Sequence, residues 1–179
     1  SPSQTATLDG DLVQPKACIV VPTRELGEQV SKVFKSFTHA TRLRVRTALG
    51  GTAFEVSRKN LQSSFEVLIA TPGRLSKLID SENIDLGAIR VLVFDEADQI
   101  LDHGFFADVQ KILNECPAKR QMALFSATVS PAVERLISQN FCEAKIVRSS
   151  RSHRVVESLK TINKKVVNGN RFALLMNLL

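Results

Sequence analysis

Four short apolar runs constrain this 179-residue chain more than any other feature: Ala17–Val21 (ACIVV), Val67–Ala70 (VLIA), Val91–Phe94 (VLVF) and Met122–Phe125 (MALF). Each holds four or five residues, and none alternates apolar with polar. Such runs suit strands covered on both faces, as in a parallel sheet. Leu43–Leu49 (LRVRTAL) alternates more and reads as a further strand. Helical patterns lie between the runs. Arg24–Phe37 carries Leu26, Val30, Val33, Phe34 and Phe37 at three-and-four spacing. Phe54–Leu61, Leu75–Ile79, Phe105–Leu113 and Pro131–Asn140 read as helices too, the last with Pro in its first turn. Strand–helix alternation of this kind means an α/β fold, a mostly parallel sheet with helices on both faces.

The length allows one ordinary domain with a real core and a small further piece. Residues 1–15, polar and punctuated by Pro and Gly, read as a loop or a ragged end. Composition shifts at Ser149–Arg154 (SSRSHR), which is polar, basic and without periodicity. The expected organisation is a domain over 1–148, a linker over 149–156 and the start of a second domain over 157–179. In that last part, Leu159–Val167 resembles a strand and Arg171–Leu179 the first turns of a helix. A chain that starts at Ser1 and stops in mid-pattern is expected to be a piece of a longer protein.

The net charge of +6 fits a polyanionic partner, and equally a mildly basic surface. With no Trp or Tyr, a surface that grips a nucleic-acid backbone is more natural than an aromatic stacking platform. Cys18, Cys116 and Cys142 are far apart and odd in number, so they suggest neither a metal site nor a disulfide framework. Reduced, buried thiols fit an intracellular, cytosol-like compartment, with nucleus or organelle also open. No apolar run approaches the ~20 residues of a membrane span. His39, His103 and His153 read as ordinary surface or loop residues.

In parallel α/β sheets, ligands bind beyond the carboxyl ends of the strands. Pro22-Thr23-Arg24-Glu25-Leu26 follows the first run, and Gly50-Gly51-Thr52 follows LRVRTAL. Thr71-Pro72-Gly73-Arg74, Asp95-Glu96-Ala97-Asp98 and Ser126-Ala127-Thr128 follow the remaining three. An Asp followed by Glu at a strand end suits a magnesium–nucleoside triphosphate site. The Asp holds Mg²⁺ through water and the Glu orients the attacking water. The plainer alternative is that Asp95 and Glu96 cap the next helix. The Thr-Arg, Gly-Gly and Thr-Pro-Gly-Arg groups offer hydroxyls, backbone N–H groups and guanidinium forks that grip phosphate without reading bases. Helices starting near Thr23 and Gly73 add their N-terminal dipoles.

Taken together and in order, these motifs resemble the DEAD-box family of ATP-dependent RNA helicases, over residue 16 to about 148 and more weakly to 179. Asp95-Glu96-Ala97-Asp98 is the motif that names that family, and Leu101-Asp102-His103-Gly104-Phe105 resembles its usual continuation. The resemblance implies a RecA-like domain, ATP and Mg²⁺ as cofactors, and RNA as partner, with protein partners possible and no membrane. Asp95 would hold Mg²⁺ through water, and Glu96 would position the hydrolytic water. Asp98 would tie the acids to neighbouring polar groups, and Ser126 and Thr128 would couple the nucleotide to domain closure. Pro22, Thr23, Arg24, Gly50, Gly51, Thr71, Pro72, Gly73 and Arg74 would form the surface for the RNA sugar-phosphate backbone.

The chain departs from the family upstream of Ala17, where the family's adenine-reading glutamine segment is not recognisable, since Gln4 and Gln14 lack its context. It also contains no Gly-Lys dipeptide, and so no G-x-x-x-x-G-K-[ST] phosphate loop. The expectation is therefore a fragment of an RNA helicase that hydrolyses ATP weakly or not at all by itself. One alternative is a catalytically inactive relative that binds RNA or a protein. Another is a different nucleic-acid-dependent ATPase branch sharing the core, which the literal Asp-Glu-Ala-Asp argues against.

Overall fold

The computed structural model describes residues 12–141, 144–148 and 176. Two compact units are distinguished, 1–145 and 146–179. The elements below belong to the first. The linker and second-domain readings at 149–156 and 157–179, with Cys142 and His153, lie outside the described residues, except Met176.

Five parallel strands form one sheet: β1 (Ala17–Val20), β2 (Val45–Ala48), β3 (Val67–Ala70), β4 (Val91–Phe94) and β5 (Gln121–Leu124), in the order β2-β3-β1-β4-β5. Between them run α1 (Arg24–Thr41), α2 (Phe54–Asn60), α3 (Pro72–Asp80), α4 (Ala97–Asp102) and α5 (Phe106–Glu115), with α6 (Pro131–Asn140) after β5. The chain leaves β1 for β2 in one direction and makes every later crossover in the other. Right-handed crossovers then place α1 on one face and the later helices opposite. The side chains agree. Ile19, Val21, Val67 and Ile69 pack with Leu26, Val30 and Phe34 of α1. Cys18, Val20, Leu68, Ala70, Leu92 and Phe94 face Leu75, Leu78, Ile112 and Leu136 on the other side.

The apolar runs mark all the central strands, but both-face coverage is complete only for β3, whose four residues are all buried. In β4, Val91 and Val93 are half-buried. The helix on their face, α1, lies over β2 and β3, and no other described helix shares it. One edge strand, β5, is half-buried to exposed along its length. The helix that the capping alternative places after the acids is α4, a short element of its own before α5, whose buried apolar residues are Ala97, Ile100 and Leu101. Cys18 and Cys116 are free and buried. Burial raises both thiols, Cys116 to about 11, so neither is a ready thiolate.

Candidate functional site

The parallel register brings all five motifs to one edge of the sheet. Backbone bonds continue past the strand ends: Thr71 N–H to Ala48 O, Val21 N–H to Ala70 O, Asp95 N–H to Val20 O and Phe125 N–H to Phe94 O. The strand order then divides the edge by chemistry. Hydroxyls, glycines and arginines follow β2, β3 and β1, while the acids and the Ser-Ala-Thr segment follow β4 and β5.

On the first half, Thr23 has extended backbone and caps α1, its Oγ1 accepting from Leu26 N–H at 3.2 Å. Arg24 is exposed and pairs with Glu28 one turn on, at 2.7 Å. Gly51 takes φ +79°, a conformation that side chains resist, and its Cα side faces Arg24. Gly50 does not offer its N–H to a ligand, because Thr71 Oγ1 accepts it at 2.9 Å. Pro22, Thr71 and Pro72 are buried, so they shape the turns. The groups that reach solvent are Thr23, Arg24, Gly50, Gly51, Gly73 and Arg74. Gly73 lies against Phe105, whose ring a Cβ there would touch at 3.4 Å.

Arg74 is braced by residues the sequence reading did not single out. Its Nη1 donates to Ser57 Oγ at 3.1 Å and its Nη2 to Thr52 O, and the guanidinium sits 5.7 Å from the Phe54 ring centroid. Ser57 is a buried polar residue on a short helix, and nothing local in its sequence signals that a cation waits across the loop.

On the second half, the backbone turns sharply from β4 into α4. Glu96, at φ 51° and ψ 51°, makes that turn in the left-handed region, a strain on the order of 1–2 kcal/mol for a residue with a Cβ. Asp95 Oδ1 accepts from Glu96 N–H at 3.0 Å. The first N–H groups of α4 are met elsewhere: Ala97 N–H by Phe125 O at 2.9 Å, Asp98 N–H by Ser126 Oγ at 3.2 Å, and Gln99 N–H by Asp98 Oδ1 at 3.1 Å. The Asp95 and Glu96 carboxylates are therefore not used as helix caps. Both are half-buried.

Asp98 is buried and ties the acid motif to the segment after β5. Its Oδ2 accepts from Thr128 N–H at 2.9 Å and from Thr128 Oγ1 at 2.7 Å, while Ser126 Oγ donates to Thr128 O at 2.7 Å. Burial pushes the Asp98 carboxyl up, but the hydrogen bonds from the Thr128 hydroxyl, the Thr128 N–H and the Gln99 N–H outweigh it and hold the group below its ordinary value. His103 is exposed at the end of α4, its Nδ1 2.6 Å from Gln99 O.

No group of three metal-ligating side chains occurs among the described residues. A Mg²⁺ ion here would have one carboxylate, Asp95, with Oδ2 free of hydrogen bonds among the described residues, and would draw its other ligands from water and a polyphosphate. That single open carboxylate fits water-mediated binding.

Among curated proteins, the chain is 40% identical over 131 residues to RNA helicase CrhR of Synechocystis sp., covering 73% of this chain and 26% of that protein. It is 42% identical over 129 residues to DEAD-box ATP-dependent RNA helicase 52A of Oryza sativa subsp. japonica, covering 70% and 21%. With ATP-dependent RNA helicase RhlB of Pseudomonas aeruginosa it shares 36% over 168 residues, covering 92% and 42%. The chain thus spans less than half the length of each of these relatives. Among solved structures, the yeast DEAD-box splicing factor Prp28 matches with a TM-score of 0.67 and 31% identity, covering 70% of this chain and 30% of that one. A hypothetical ATP-dependent RNA helicase from Sulfolobus tokodaii also matches at TM-score 0.67, with 28% identity over 73% of this chain and 39% of that one. These matches carry the RecA-like assignment of the sheet. A family model described as DEAD/DEAH box helicase matches residues 4–136, well over half of the sequence, and the chain belongs to that family.

Proposed function

We propose that the chain is part of an ATP-dependent RNA helicase, the part that grips single-stranded RNA and carries the acids for ATP hydrolysis. The observation behind this reading is the division of one sheet edge into a cationic, hydroxyl-bearing half and an acidic half. On the first half, Thr23, Arg24, Gly51, Gly73 and Arg74 face the sugar-phosphate backbone, on turns shaped by Pro22, Gly50, Thr71 and Pro72. Phosphate contacts carry little sequence information, so binding is general. On the second half, Asp95 holds Mg²⁺ through water and Glu96 orients the attacking water. Asp98, Ser126 and Thr128 link that turn to β5 and so transmit nucleotide occupancy to domain closure. Residues 1–148 form the first domain, 149–156 a linker and 157–179 the start of the second. Two free, buried cysteines support a reducing intracellular compartment.

The 179 residues contain no phosphate loop, which favours a second reading: the chain by itself binds RNA without turning ATP over. ATP hydrolysis with and without single-stranded RNA, beside Glu96→Gln, tests the second reading. Turnover at background in both proteins is the expected result. RNA-stimulated turnover that disappears in Glu96→Gln would mean that other residues hold the phosphates.

A further inference from the structure

The free edge of β2 carries a basic cleft that the motif edge does not include. It has a volume of about 330 Å³ and is lined by Lys35 of α1, Arg46 and Thr47 of β2, Lys59 and Asn60 of α2, and Ser63. No carboxylate lines it. Its cations also differ from their neighbours. Arg44 pairs with Glu66 at 2.7 Å and Arg58 with Glu55 at 2.8 Å, whereas Lys35, Arg46 and Lys59 make no ion pair among the described residues.

The edge offers donors. Arg46 folds its Nη1 onto Val45 O at 3.3 Å and its Nη2 onto Ser63 Oγ at 2.9 Å, so a backbone acceptor that an added strand would need is already engaged. This disfavours an extended peptide pairing with β2 and favours a compact anion. Three positive side chains outweigh the carbonyl end of α2, worth roughly half a negative charge.

We propose that this cleft binds a phosphate of the RNA strand beyond the stretch held at the sheet edge. It deepens the proposed function and rests on it. The path between the two sites is α2. Phe54 and Ser57 at its start and middle hold Arg74 of the motif edge, and Lys59 and Asn60 at its end line the cleft. A strand leaving Arg74 along α2 meets the cleft next. Lys35 and Lys59 are exposed, so their replacement leaves the core intact.

The test is the affinity of the 179-residue chain for single-stranded oligouridylates of increasing length, at several salt concentrations. The proteins compared are the parent, Lys35→Gln/Lys59→Gln and Arg24→Ala. The parent is expected to gain affinity with length. The lysine variant is expected to match it on short RNA, to lose about tenfold on long RNA, and to show a log–log salt slope shallower by about 0.7 for one lost phosphate contact on a single strand. Arg24→Ala is expected to weaken binding at every length. If the lysine variant equals the parent at all lengths, the cleft is not on the RNA path, while an Arg24→Ala loss would leave the proposed function standing. No RNA binding by the parent would overturn both. In a parallel amide-shift titration, movement of Thr47 and Ser63 by pyrophosphate but not by RNA would assign the cleft to a free phosphorylated molecule. Movement by polyglutamate but not by pyrophosphate would assign it to an acidic protein. Either result would overturn the RNA assignment.

Discussion

At the scale of single residues, the acid motif divides its labour. Asp95 and Glu96 stand clear of helix capping, whereas Asp98 is spent on the Thr128 N–H and hydroxyl. The family resemblance gives Asp98 the tying role, but the residues around it do not show that its partner is Thr128, which lies 30 residues on. The same blindness hid Ser57, Thr52 and Phe54 around Arg74. Asp98 has a consequence for pH. Its folded value is held below the unfolded one, near 3.9, so the unfolded chain binds the proton first as pH falls. Its stabilisation is therefore full above about pH 5, and it is lost as pH drops through the folded value. Urea midpoints of the parent are expected to fall more steeply below about pH 4 than those of Asp98→Asn. Parallel pH profiles would mean that the Thr128 contact is not formed in solution.

At the scale of elements, the strands were the most legible part. Val67–Ala70 and Val91–Phe94 are strands over the residues expected, and Pro131–Asn140 is a helix over the residues expected. The ends of the others shift by a few residues. The helix expected at Leu75–Ile79 begins at Pro72, because Pro suits a first helical turn whose N–H groups are unpaired anyway. The helix expected at Arg24–Phe37 runs on to Thr41, where Arg42 in the left-handed region ends it. The start of that helix serves two purposes, since Thr23 is both cap and a proposed backbone contact. Thr23→Ala is expected to lower unfolding free energy by about 1 kcal/mol, within a range of roughly 0.5–2, and Thr23→Ser to recover most of it. Equal stability of all three proteins by urea denaturation would show that the cap carries no weight.

At the scale of the whole chain, one-dimensional order became a two-part edge through topology. Sequence spacing places each motif after a strand. It does not reveal that β1 lies between β3 and β4, which sets the cationic half beside the acidic half. Nor does it foretell that, among the described residues, α1 is the one helix on its face, with Val91 and Val93 half-buried. The central claim is that this edge grips RNA by its backbone. The most direct measurement is the affinity of the chain for single-stranded RNAs of unrelated sequence, beside Arg24→Ala and Arg74→Ala. Similar affinities across sequences are expected, with each variant weakened alike on all of them, and for Arg74→Ala by on the order of 1–3 kcal/mol. Folding of Arg74→Ala would be confirmed by its urea transition, since Ser57 and Thr52 lose their partner. A loss confined to one sequence, or variants that bind as the parent does, would contradict the claim.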